Sequence, residues 1–173
     1  MKRFVISGFA SLLVFGFASA GVRAGDDEPL RLGIGAHYWT TVNNIDVHNI
    51  DKNGVSWLGS LQYAPSNWVK LEGDVEWMPS GFGGSTHDVY EPEAFLLIGN
   101  AIYAGAGIGG YYSGGDLSGD PFYVLRVGLD LEVLPRLRLD INANYRFEDW
   151  HSLNSQNISS DTITLGAALR VAL

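Results

Sequence analysis

The chain has 173 residues, enough for one domain, and it contains no cysteine, which excludes a disulfide framework. Its formal net charge of −8 argues against nucleic-acid binding, because a phosphate backbone is bound by a basic surface. After the N-terminal leader, no run approaches the roughly 18 apolar residues of a membrane-spanning helix. If the protein lies in a membrane, it must do so as a closed β-sheet.

The start of the chain has the pattern of a secretory signal peptide. Lys2 and Arg3 form a basic start, residues 4–17 are apolar, and Ala18-Ser19-Ala20 offers a cleavage site. A second cleavage site follows residue 24. We therefore expect residues 1–20 to be removed, residues 21–29 to form a short N-terminal segment, and residues 30–173 to form the folded domain.

Beyond the leader, the chain shows repeated β-strand patterns. Between residues 69 and 77, apolar or small residues alternate with charged ones at every position, which is typical of a strand whose two faces meet different environments. Eight strands are predicted, at residues 30–42, 55–64, 68–78, 94–99, 101–112, 122–134, 137–147 and 162–173.

The predicted connections alternate in length. Long polar segments follow the first, third, fifth and seventh strands, at residues 43–54, 79–93, 113–121 and 148–161. Short turns follow the others, at residues 65–67, around Asn100 and at residues 135–136. Long loops at one end and short turns at the other are typical of outer-membrane β-barrels.

One face of the predicted strands carries charges of both signs in equal number. These residues are Arg31, Lys70, Glu72, Asp74, Glu76, Arg126, Asp130, Glu132, Arg138, Asp140, Arg146 and Arg170. A narrow barrel interior needs such a balance, because an unpaired buried charge costs several kcal/mol. We expect these side chains to form an ion-paired network that fills the barrel and fixes the strand register.

The opposite face carries aromatic residues near the ends of the strands. Those expected near the long loops are Tyr38, Trp57, Trp77, Tyr112, Tyr123 and Phe147, whereas Tyr63 and Trp68 lie near a short turn. Aromatic rings favour the headgroup level of a bilayer. The prediction is an all-β, eight-stranded, antiparallel up-and-down transmembrane barrel in a bacterial outer membrane. A soluble exported barrel with a ligand cavity is the alternative fold.

Two segments carry a family resemblance. The glycine-alternating residues 103–111 and the turn and strand of residues 134–147 resemble those of small outer-membrane proteins of the OmpA/OmpX and opacity types. The resemblance implies a barrel that meets membrane lipid, lipopolysaccharide and the outer-membrane assembly machinery. Leu173 stands where an aromatic residue is usual in that family.

Two motifs point weakly to catalysis or cofactor binding. Residues 105–110 fit the glycine pattern of dinucleotide sites, but a loop follows where such a site needs a helix. We expect these inward glycines to leave room for long arginines. The inward carboxylates could form an acid–base pair, but an eight-stranded barrel is filled by its own side chains.

The remaining candidates lie in the predicted loops. His151-Ser152, with Glu148 and Asp149, is similar to the site of lipid A deacylases, although the spacing differs. A metal site would need His37 to approach His48, His87 and His151 at one rim.

The expected loops hold most of the excess negative charge and suit Ca²⁺ or Mg²⁺ bridging to lipopolysaccharide. Their acidic residues are Asp46, Asp51, Asp88, Glu91, Glu93, Asp116, Asp120, Glu148, Asp149 and Asp161, against Lys52. The favoured function is a monomeric, cofactor-free structural barrel that acts through its surface loops. A lipid-modifying enzyme, a narrow ion channel and a soluble carrier are the alternatives.

Overall fold

The computed structural model describes residues 29–43, 50–117, 120–147 and 160–173, so the predicted signal peptide lies outside the described residues. The strands are β1 (Leu30–Thr41), β2 (Asn53–Tyr63), β3 (Val69–Met78), β4 (Val89–Gly99), β5 (Ile102–Gly109), β6 (Tyr112–Ser113), β7 (Asp116–Leu117), β8 (Phe122–Leu134), β9 (Leu137–Phe147) and β10 (Thr162–Ala172). A 3₁₀ turn spans Phe82–Gly84. Within these ranges, no helix is long and apolar enough to cross a membrane.

Eight long strands close into a barrel. Each of β1 to β4 pairs antiparallel with the next strand, β5 pairs with β8, β8 pairs with β9, and β9 pairs with β10. The pairing of β10 with β1 closes the ring. The short strands β6 and β7 form a small hairpin that extends one rim beside β4. The predicted eight-stranded, antiparallel up-and-down barrel is confirmed.

The fourth strand differs most from its predicted bounds. It begins at Val89 rather than at residue 94, and it pairs with β3 from Met78 onward. The added residues alternate, with Glu91 and Glu93 buried and Tyr90 exposed. The prediction placed Glu91 and Glu93 in an acidic loop, and this was wrong. Both carboxylates lie inside the barrel.

The exterior of the barrel is apolar. Ile102 is 76% exposed and Ile34 is 74% exposed, and outward residues of all eight long strands show the same character. Monomeric soluble proteins rarely carry an apolar surface of this extent. A surface that alternates apolar-out and polar-in is that of a transmembrane barrel, which argues against the soluble carrier.

The interior has an apolar layer that the sequence analysis did not predict. It consists of Trp39, Ile50, Met78, Phe82, Val89, Phe95, Leu97, Tyr103, Tyr111, Phe122 and Val124. Phe82 reaches this layer from the 3₁₀ turn and is fully buried, with its ring centroid 4.9 Å from that of Trp39 and 6.2 Å from that of Tyr111. Gly81, at φ 107°, allows the chain to turn back toward the barrel at this point. The loop after β3 therefore folds into the barrel mouth.

The glycines of β5 make room for this apolar layer. A Cβ atom on Gly107 would lie 2.5 Å from the Phe95 ring, and one on Gly109 would lie 2.5 Å from the Phe122 ring. The expectation that they accommodate arginines was therefore wrong. On β1, in contrast, the inward Gly33 lies against the side-chain stem of Arg170.

We predict that Gly107→Ala destabilises the barrel by about 1–3 kcal/mol, because the added methyl overpacks the contact with Phe95. The matched control is Gly59→Ala, since a Cβ atom at Gly59 meets nothing within 4 Å. Samples are heated to increasing temperatures and run on a gel without boiling. The measurement is the temperature at which the band of the folded barrel disappears. Equal melting of the two variants would contradict the packing described here.

Candidate functional site

The distinctive feature of the interior is a set of buried ion pairs. Alternation along β1, β3, β4, β8, β9 and β10 directs charged side chains inward, where they meet across the barrel. Those buried among the predicted residues are Arg31, Lys70, Glu72, Asp74, Glu76, Arg126, Asp130, Asp140, Arg146 and Arg170. Arg138, at the short-turn end of the barrel, also has a largely buried side chain.

The middle of the barrel is organised around Glu72 of β3. Its Oε1 atom accepts from Arg126 Nη1 at 2.8 Å and from Arg170 Nη2 at 2.6 Å. Its Oε2 atom accepts from Gln62 Nε2 at 2.5 Å. Arg126 also lies 2.9 Å from Asp74 Oδ2, and its guanidinium stacks 3.7 Å from the centroid of the Phe95 ring. One carboxylate thus joins two arginines from distant strands.

Asp140 of β9 completes this middle cluster. Its Oδ2 atom lies 2.6 Å from Arg170 Nη1 and accepts from the Tyr103 hydroxyl at 2.7 Å. Its Oδ1 atom accepts from Asn142 Nδ2 at 2.6 Å. Neutral inward residues therefore donate hydrogen bonds to the Asp140 oxygens alongside the arginine. Buried carboxylates need such hydrogen-bond partners.

A second cluster lies toward the long loops, where Arg146 of β9 meets three glutamates. Its guanidinium contacts Glu76, lies 3.0 Å from Glu91 Oε2 and lies 3.3 Å from Glu93 Oε1. His37 Nδ1 lies 3.1 Å from Glu76 Oε1. These three carboxylates lie close enough to one another to hold a metal ion, but Arg146 is the cation they contact.

A third cluster lies toward the short turns, with Asp130 of β8 at its centre. Lys70 Nζ donates to Asp130 Oδ2 at 2.5 Å, and Arg138 Nε donates to Oδ1 at 2.7 Å. Arg31 Nη1 lies 3.4 Å from Oδ2. Glu132 differs from its predicted inward position, because its side chain is 59% exposed, and it meets only the edge of this cluster, 3.3 Å from Arg138. The register of β8 shifts between Glu132 and Leu134 as the strand leaves the barrel.

The interior therefore does not hold the equal numbers of cations and carboxylates that the sequence predicted. Among the described residues, six cations face seven carboxylates, because Glu91 and Glu93 join the network and Glu132 leaves it. The cations are Arg31, Lys70, Arg126, Arg138, Arg146 and Arg170, and the carboxylates are Glu72, Asp74, Glu76, Glu91, Glu93, Asp130 and Asp140. Many of the contacts join strands three or four places apart around the ring, so the network ties opposite walls together.

The predicted aromatic residues lie on the outside of the barrel. Tyr38, Trp57, Trp68, Trp77, Tyr112, Tyr123 and Phe147 are exposed, and Tyr63 is half-buried. Cross-strand pairing sets Trp57 beside Trp77, Trp77 beside Tyr90, and Tyr90 beside Tyr112, so that they form a continuous row near the long loops. The prediction missed Tyr90, because residues 89–93 read as a loop.

Comparisons with known proteins bear on the fold. No family model and no curated protein matches the chain. Among solved structures, Neisserial surface protein A (NspA) has a TM-score of 0.62 at 16% identity, over 84% of this chain and 97% of that one. Outer membrane protein OprG from Pseudomonas aeruginosa has a TM-score of 0.50 at 10% identity, over 83% and 96%. This chain has the fold of a small outer-membrane β-barrel. The apolar exterior is the surface that such a barrel presents to lipid.

The other predicted sites are not assembled by the described residues. His48, the pair His151-Ser152, and Glu148 with Asp149 lie outside the described residues. His37 is buried against Glu76 inside the barrel, whereas His87 is exposed and contacts the Thr86 hydroxyl at 3.0 Å. Residues 105–109 belong to a strand that pairs with β4 and β8. A strand without a following helix does not form a dinucleotide site.

We predict that Glu72→Gln lowers the free energy of unfolding by about 3–5 kcal/mol, because two buried arginines lose the charge that they share. The matched control is Glu132→Gln, which removes the same charge from an exposed position and should cost less than about 1 kcal/mol. Urea unfolding in detergent micelles, followed by tryptophan fluorescence, measures both. A small effect at Glu72 would contradict the central role of this carboxylate.

Proposed function

We propose that the protein is a non-enzymatic structural barrel of the outer membrane whose interior is plugged. Its contacts with the envelope and with partners would then be made by the long loops. Two layers support a plugged interior: the ion network, and the side chains of Trp39, Phe82 and Tyr111, which pack together on its long-loop side. Adhesion or envelope integrity is the function that this arrangement supports best.

The observation that carries the proposal is the packing across the barrel axis. Arg126 and Arg170 reach from β8 and β10 to Glu72 of β3, while Arg146 reaches from β9 to β3 and β4. All three arginine side chains are fully buried. Above them, Phe82 packs between Trp39 and Tyr111. An ion crossing the barrel would have to break both layers, which argues against the narrow channel.

We predict that the purified protein in planar lipid bilayers shows no steady conductance steps at moderate voltage. Phe82→Ala should leave conductance closed, because the ion network remains below it. A variant combining Phe82→Ala with Glu72→Ala should conduct, since both layers are then opened. Regular steps in the unmodified protein would contradict a plugged interior and favour the channel.

The loop surface of the described chain is acidic. Asp51, Asp88, Asp116 and Asp120 are exposed, and Lys52 is the basic residue among them. Asp88 accepts from the Trp77 indole and from the backbone N–H of Ser80, so it holds the loop after β3. The other three are suited to water-mediated or divalent-cation contacts with the phosphates of lipopolysaccharide. NspA is by its name a surface protein, which agrees with a function exerted at the loops.

We predict that Mg²⁺ increases the binding of the barrel, held in phospholipid nanodiscs, to lipopolysaccharide-containing vesicles. The triple variant Asp51→Asn, Asp116→Asn and Asp120→Asn should lose most of this increase, because it lacks the bridging carboxylates. Lys52→Gln is the matched control and should retain the increase. Co-sedimentation with and without EDTA measures the effect. Binding that is indifferent to Mg²⁺ in all three proteins would contradict a cation bridge.

A further inference from the structure

A cavity of about 650 Å³ opens at the short-turn end of the barrel. Its walls include Arg31 and Lys70 from inside the barrel, Arg138 at the start of β9, and Arg136 in the turn before it. Ligand-binding pockets usually have volumes of about 300–1,000 Å³. The cavity is thus large enough for a small solute or for the terminal group of a larger one.

The charge around this cavity is unequal. Four cations line it, namely Arg31, Lys70, Arg136 and Arg138, against the two carboxylates of Asp130 and Glu132. Three of the cations already converge on Asp130, at 2.5 Å, 2.7 Å and 3.4 Å. Glu132 lies at the solvent-exposed rim, with its carboxylate 3.3 Å from Arg138 Nη1. Cations therefore outnumber carboxylates among the described residues that line the cavity.

The lining also presents hydrogen-bond donors to the cavity. Lys70 carries three ammonium hydrogens, and two described acceptors, Asp130 Oδ2 and the Asn100 carbonyl, lie within reach. Ser66 Oγ accepts from the backbone N–H groups of Trp68 and Val69, so its own hydrogen can be donated. The amide group of Asn67 adds further donor capacity at the wall. Donors and cations held together favour an anion.

We propose that this cavity is a binding site for an oxyanion, a phosphate or carboxylate group that enters from the short-turn side of the membrane. Lys70 provides the buried charge, and Arg136 provides a charge at the rim. This site lies at the opposite end of the barrel from the loops that carry the proposed function, and it does not depend on that function.

The test is isothermal titration of the mature protein in detergent micelles with pyrophosphate and, separately, with citrate. We expect saturable binding of at least one probe. Arg136→Asn should weaken it about threefold to fivefold, as expected for one partly exposed charge. Asparagine is chosen because it tolerates the positive φ of 67° at this position. Glu132→Gln should strengthen the binding by a similar factor, because it removes a repelling carboxylate from the rim.

The matched control is Lys52→Gln, which removes an exposed cation outside the cavity lining and should leave the affinity unchanged. Absence of saturable binding of either probe, or an equal loss in Lys52→Gln, would overturn the proposal. Failure of Glu132→Gln to strengthen binding would also count against it.

The anion could be a free solute or could come from the chain's own Asp26, Asp27 and Glu28, which precede the described residues. A variant with all three residues changed to their amides distinguishes these sources. A gain in pyrophosphate affinity would mean that these carboxylates compete for the site, and an unchanged affinity would mean that it takes a free anion. Either result supports the site. A loss of affinity would contradict it, since removing negative charge from the protein does not weaken the attraction of an anion.

Discussion

Charges buried inside a narrow, membrane-spanning tube must find partners there, and this requirement organises the barrel. Removing a carboxylate or guanidinium from water costs several kcal/mol unless ion pairs and hydrogen bonds replace the lost hydration. Glu72 meets the requirement with two arginines and an amide, and Asp140 meets it with an arginine, a phenol and an amide. Because all of these partners except Asn142 lie on other strands, a one-residue slip of any of these strands would separate them. The ion pairs thus specify register as well as occupying space.

The interior is divided into layers with different physical tasks. Toward the long loops, the rings of Trp39, Phe82, Tyr111 and Phe122 pack together at the barrel mouth. In the middle, arginines span the barrel, and one of them, Arg126, stacks on Phe95 where the two layers meet. Toward the short turns, cations exceed carboxylates and a cavity remains open. The two ends therefore offer different chemistry to the compartments that they face.

Much of this fold could be predicted from the sequence because period-two alternation is a direct consequence of strand geometry. In residues 122–134 and 137–147, inward and outward residue types alternate, and each segment is flanked by turn-forming residues. The strands β8 and β9 have the predicted bounds. The start of β4 was missed because Pro92 and two glutamates resemble a polar loop. The two glutamates alternate with Tyr90, but this short pattern identifies a strand only together with the pairing of β4 with β3. Loop residues such as Ile50 and Phe82 fold into the interior through tertiary contacts, which periodicity does not encode.

The contact between Glu72 and Arg170 joins residues that are 98 positions apart. An unfinished chain, or a sheet lacking its last strand, would hold Glu72 within the bilayer without one of its two arginines. Such a state cannot rest stably within a bilayer, whereas the completed ring can. Membrane insertion and barrel closure are therefore expected to occur together. The final strand, β10, supplies the arginine that completes the ion pairs of Glu72.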